Sequence, residues 1–129
     1  MAPSHTELRA LVDAFYRRVR QDERLGPIFE THVEDWEAHS ARLTDFWSSL
    51  MLASGRYKGN PFAAHLPFAT KLDPSLFDRW LALWHEATHE AFAPEIAAAF
   101  ETKARRVAES LKAGLFRPSA MITPETASS

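Results

Sequence analysis

Cysteine is absent from this 129-residue chain. Disulfides, iron–sulfur clusters, thiolate zinc sites and cysteine nucleophiles are all excluded with it. There is no long run of one charge sign, and the formal net charge is only -2. That excludes the electrostatic footprint of a nucleic-acid binder. No apolar stretch approaches the roughly 20 residues needed to span a bilayer. Residues Met1 to Arg9 hold no apolar segment behind a basic start, so no secretory signal is expected and a cytoplasmic location is the default. No segment reads as a convincing strand, and no internal repeat is present.

What remains is an ordinary globular composition, 46% apolar and 25% charged, in a chain of single-domain size. A domain is expected over 1–116. The stretch 117–129, rich in Ser, Thr and Ala with two Pro, is expected to be a disordered tail. Nine Phe, four Trp and two Tyr are a rich aromatic supply for this length. Flat side chains line flat cofactors well, and they also simply fill cores.

Apolar spacing predicts five helices, hence an all-α fold. The first runs from about Thr6 to Asp22, with Leu8, Leu11, Val12, Phe15 and Val19 as its stripe, Tyr16 on its flank, and Ser4 or Thr6 as cap. Gly26-Pro27 reads as a stop, followed by an apolar corner at Ile28-Phe29. The second helix spans about Val33 to Ala53. Trp36, Leu43, Phe46, Trp47 and Leu50 make its expected buried face, with His39 inside it. A short helix starts at Asn60-Pro61, carries Phe62, His65 and Leu66, and must end at Pro67. The fourth opens at Asp73-Pro74, with Phe77, Trp80, Leu81, Trp84, Thr88 and Ala91 in one stripe. The fifth follows Pro94, with Ile96, Phe100, Val107 and Leu111, and ends near Phe116.

Six histidines are candidates for chemistry. His5 and His32, at a terminus and a helix junction, read as exposed polar residues. His39 lies in an aromatic stripe, and a ring nitrogen is costly to bury unsatisfied, so it needs a partner or a ligand. His65, between a glycine-containing loop and a proline, is placed to ligate a metal if its other nitrogen bonds a carbonyl. Taken singly, each also reads as a satisfied histidine. Taken together, two histidines on separate helices with apolar neighbours such as Leu43, Phe46 and Leu66 can face each other across a slot. Iron in haem needs one strong axial donor and a controlled pocket on the other side. Tyr16 and Trp80 each add one hydrogen-bond donor on an apolar body, though both also serve as core filling.

A competing motif is His85-Glu86-Ala87-Thr88-His89, which matches the H-E-x-x-H of zinc proteases. It falls on a helix, but His85 lies on the flank of the buried direction and His89 is expected further out. No glycine-led continuation supplies a third ligand, and the chain leaves little room for a substrate cleft. An exposed helix face is the stronger reading, and a zinc hydrolase the weaker.

The ordered set Phe15-Tyr16, Leu25-Gly26-Pro27-Ile28-Phe29, Trp36-Glu37-Ala38-His39, Phe46-Trp47, His65 and Trp80 resembles the group III truncated haemoglobins. The resemblance covers about Leu8 to Phe116. It implies a two-over-two helical sandwich around haem b. His65 then corresponds to the proximal iron ligand, His39 to the distal histidine, and Tyr16 and Trp80 to distal donors. Phe29 corresponds to a haem-wedging phenylalanine and Trp47 to a tryptophan characteristic of the group. Paired-glycine motifs of groups I and II are absent, consistent with group III. Arg42 and Tyr57 are conjectural partners for the haem propionates. The implied function is binding of O2, and of NO or CO, at ferrous iron. The alternative is NO dioxygenation or peroxidase-like chemistry served by a separate reductase.

Overall fold

The computed structural model of the chain describes residues 2–66 and 72–116. Both the tail expected at 117–129 and the stop expected at Pro67 lie outside the described residues. Six helices make up the described fold: α1 (His5–Gln21), α2 (Leu25–His32), α3 (Trp36–Leu52), α4 (Pro61–His65), α5 (Pro74–Ala91) and α6 (Pro94–Leu115). Among the described residues there is no strand.

Most helix starts are set by short polar side chains. Ser4 forms a capping box with Glu7: the Glu7 N–H donates to Ser4 Oγ at 3.1 Å, and the Ser4 N–H donates to Glu7 Oε1 at 2.7 Å. Asp35 caps α3 through the Ala38 N–H, Asn60 caps α4 through Ala63, and Asp73 caps α5 through Ser75. Proline holds the first position of α4, α5 and α6, where its missing N–H costs nothing.

The Gly26-Pro27 stop is instead the first turn of a helix. Asp22 ends α1, and its carboxylate accepts from the N–H groups of Arg24 and Leu25, which starts α2. Pro27 falls in the first turn, where N–H groups have no intrahelical partner anyway. Gly26 is needed for contact: a Cβ there would lie 2.7 Å from the Arg20 carbonyl oxygen. Its smallness lets α2 cross the end of α1 at close range.

The helices form two pairs, α1 with α3 and α5 with α6, and α1 also packs on α5. This is the two-over-two arrangement. The main core runs through Leu8, Leu11, Val12, Phe15 and Val19 of α1, Trp47 of α3, Leu83, Trp84 and Ala87 of α5, and Phe100 and Ala104 of α6. Trp84 is its hub: it stacks on Trp47 at 4.5 Å between centroids and meets Phe15 edge-on at 4.9 Å. Ala91, at the end of the expected α5 stripe, is exposed.

The faces of α3 differ from the expectation. Its fully buried positions are Ser40, Thr44, Trp47 and Ser48, and Trp36, Leu43, Phe46 and Leu50 are only half buried. Three small polar residues one turn apart let α3 lie close on α1. Two of the hydroxyls bond locally: Thr44 Oγ1 donates to the Ser40 carbonyl at 2.8 Å and Ser48 Oγ to Ser54 Oγ at 2.7 Å. Leu43 and Phe46 of this apolar row line a cavity.

Candidate functional site

That cavity, of about 590 Å³, lies between the helix pairs and within the size range of sites for small molecules and cofactors. Tyr16 reaches it from α1, Phe29 from α2, His39, Leu43, Phe46 and Trp47 from α3, His65 from α4, and Trp80 from α5. Five elements thus bring together eight of the nine residues singled out in the sequence. Leu66, the ninth, is 50% exposed and is not among the lining residues. Further walls come from Ile28, read in the sequence as part of an apolar corner, and from Phe77, Val107 and Leu111, which periodicity marks only as apolar positions of their helices. His32, read as an exposed polar residue, is exposed but lies on the rim.

The two histidines enter the cavity in different states. His65 sits at the end of α4, with Nδ1 2.7 Å from the Pro61 carbonyl oxygen. A carbonyl oxygen only accepts, so the proton is on Nδ1 and the lone pair is on Nε2. A carbonyl-oriented imidazole of this kind is the usual arrangement for a metal-ligating histidine. His39 is packed among Tyr16, Trp36 and Phe29, with ring centroids 5.0, 5.7 and 6.2 Å away. Its Nε2 is buried and has no hydrogen-bond partner among the described residues. Burial first, and then the charge of Arg42, pull its pKa down to about 4, so the ring is neutral at neutral pH.

Tyr16 is 5% exposed, and burial pushes its pKa well above the usual phenol value. Its hydroxyl therefore keeps its proton and remains a donor. Trp80 is half buried and lies parallel to Trp84 at 6.1 Å, which fixes the plane of its indole. Arg42 and Tyr57 both line the cavity. Burial raises the Tyr57 pKa, against the opposing effect of Arg42. A cation and a phenol there suit an anionic edge on a bound molecule.

The donor set fits haem. One oriented imidazole offers a lone pair, a second buried imidazole has an unmet polar atom, and the walls between them are flat and apolar. An unpartnered ring nitrogen at the wall of an apolar cavity is a costly arrangement for a molecule with nothing to bind there.

Comparison with known proteins gives concordant results. The family model for bacterial-like globins matches residues 4–112. A group 3 truncated haemoglobin of Campylobacter jejuni is 31% identical over 114 residues, covering 83% of this chain and 87% of that protein. The crystal structure of a group III truncated haemoglobin from Campylobacter jejuni superposes with a TM-score of 0.81 at 28% identity, covering 90% of this chain and 94% of the other.

Proposed function

This chain belongs to the bacterial-like globins and, among them, to the group III truncated haemoglobins, and on that premise we propose that it holds haem b through His65 and binds O2 under the control of Tyr16, Trp80 and His39. Haem and a small gaseous ligand come with the family; the roles given to residues are those the resemblance implies, and their meeting at one cavity supports them. When bound, haem would supply an iron able to bind a small diatomic ligand.

The protein's own part is orientation, proton placement and exclusion of water. The Pro61 carbonyl holds the His65 proton on Nδ1 and so aims the Nε2 lone pair. Tyr16, protonated and buried, offers one O–H to a negatively polarised ligand. Trp80 offers one N–H from another helix. Neutral His39, with an unmet Nε2, adds a further polar atom and sits where its ring can restrict access. Leu43, Phe46, Phe29 and Trp47 keep the surroundings apolar, which strengthens each hydrogen bond made inside. Arg42 and Tyr57 are the candidate partners of the propionates.

The observation that carries this reading is the apolar cavity walled by both an oriented and an unsatisfied imidazole. Visible spectra of the purified protein in ferric, ferrous and CO-bound states test it. Stoichiometric haem with a shift of the Soret band on adding CO is expected. An apoprotein that takes up no haem would end the reading.

A further inference from the structure

The sequence match at His85-Glu86-Ala87-Thr88-His89 lies on the far side of α5 from the cavity, and the structure supplies the third donor that the sequence lacked. Glu101 of α6 faces both histidines: its Oε2 lies 2.5 Å from His85 Nδ1 and its Oε1 2.7 Å from His89 Nε2. The imidazoles sit side by side, centroids 4.3 Å apart and tilted by 34°. All three candidate ligand atoms lie within 4.8 Å of one another. His89, expected further out, is the less exposed of the pair, with its side chain 35% exposed against 56% for His85. Glu101 is mostly covered, at 17%.

We propose that His85, His89 and Glu101 form a binding site for one borderline divalent transition-metal ion, Zn2+ in the first instance, clipping α5 to α6. Two imidazole nitrogens and one carboxylate oxygen are a donor set that zinc takes. In a tetrahedral site donors sit about 3.4 Å apart, given metal–ligand distances of about 2.1 Å. The present contacts must therefore open by less than about 1 Å. Each ring now donates its proton to Glu101; on metal binding that proton moves through water to the solvent-facing ring nitrogen. Water takes the fourth position. Arg105, 4.0 Å from Glu101 and exposed, gives up its contact to the cation.

This is a binding site and not a hydrolytic one. Glu86, the base that a protease would need, is turned to Arg18 of α1 at 3.7 Å. The site is also independent of haem, because none of its three residues lines the cavity.

The test uses the full-length, tag-free, haem-loaded protein, stripped with chelator and titrated with Zn2+ against a chromogenic competitor. One Zn2+ per chain in the micromolar range is expected, with a melting temperature that rises with added Zn2+. His89→Ala and Glu101→Gln should each weaken binding about tenfold or more and abolish the thermal shift, leaving the visible spectrum unchanged. No stoichiometric binding, or an affinity unchanged in both variants, would overturn the proposal. Either result leaves the haem assignment where it stands, since the spectrum reports on that separately.

Discussion

Replacing Tyr16 by Phe removes one hydroxyl and little else. The ring is held by Phe15 and His39, each 5.0 Å away, and by Phe29 and Trp36, each 5.7 Å away, and Phe keeps all four contacts. The fold should therefore be nearly unaffected. The lost O–H is different: Tyr16 is buried at the wall of an apolar cavity, and on the proposed reading its hydroxyl donates to a polarised ligand there. A hydrogen bond from a neutral donor to a partly charged acceptor in such a place is worth about 2 kcal/mol. At 1.4 kcal/mol per factor of ten, that is roughly a 30-fold change, felt mainly in dissociation. The assay is stopped-flow displacement of O2 by CO from the ferrous protein. The Tyr16→Phe variant should release O2 roughly 30 times faster. Trp80 can take over part of the role, so the double variant Tyr16→Phe/Trp80→Phe is the stricter form. An O2 off-rate unchanged in both would remove the phenol and indole from ligand control.

Three further expectations test the packing and the charge states. Ser40 sits fully buried where α3 approaches α1, so Ser40→Leu should overpack the contact and cost about 1–3 kcal/mol; an unchanged melting temperature would mean the helices are not closely opposed there. Gly26→Ala forces a Cβ against the Arg20 carbonyl, and a clear loss of stability by chemical denaturation is expected, whereas a neutral or stabilised variant would contradict the close crossing. His39, whose pKa is pulled down to about 4, binds no proton in the folded chain where an unfolded one would, between about pH 6.5 and 4. Stability is therefore lost progressively as pH falls through that window. An NMR titration of His39 with a midpoint near 6.5 would contradict this.

Much of the fold was legible because it rests on local rules. The α1 stripe and the Asn60-Pro61 and Asp73-Pro74 starts are physics of a few adjacent residues, and all appear where spacing and capping put them. The α2 helix was not legible, because Gly26-Pro27 terminates a helix in one context and opens one in another. What decides is the Asp22 carboxylate, which accepts from the next two free N–H groups of the chain. The burial of α3 was misjudged for a deeper reason. Hydrophobic spacing marks a face that leaves water, but it does not say whether protein or cofactor covers it. Leu43 and Phe46 line a cavity, and the tight helix contact falls to Ser40, Thr44 and Ser48.

The site divides in the same way. Tyr16, His39, His65 and Trp80 stand out because polar atoms on apolar stripes demand an explanation, and they meet at one cavity. Phe77, Val107 and Leu111 carry no such signal: an apolar residue on a helix face looks the same whether it touches a neighbour or a ligand. Glu101 was invisible as a partner of His85 and His89 because their meeting depends on the register of α6 against α5. No spacing within either helix encodes that register.

The most direct test of the central claim is the visible spectrum of the His65→Gly variant, with and without added imidazole. If His65 is the axial donor, the ferrous spectrum should lose the signature of a histidine-ligated haem protein and regain it when imidazole fills the space left behind. A His65→Gly protein whose ferric, ferrous and CO-bound spectra match the unaltered protein would contradict the account.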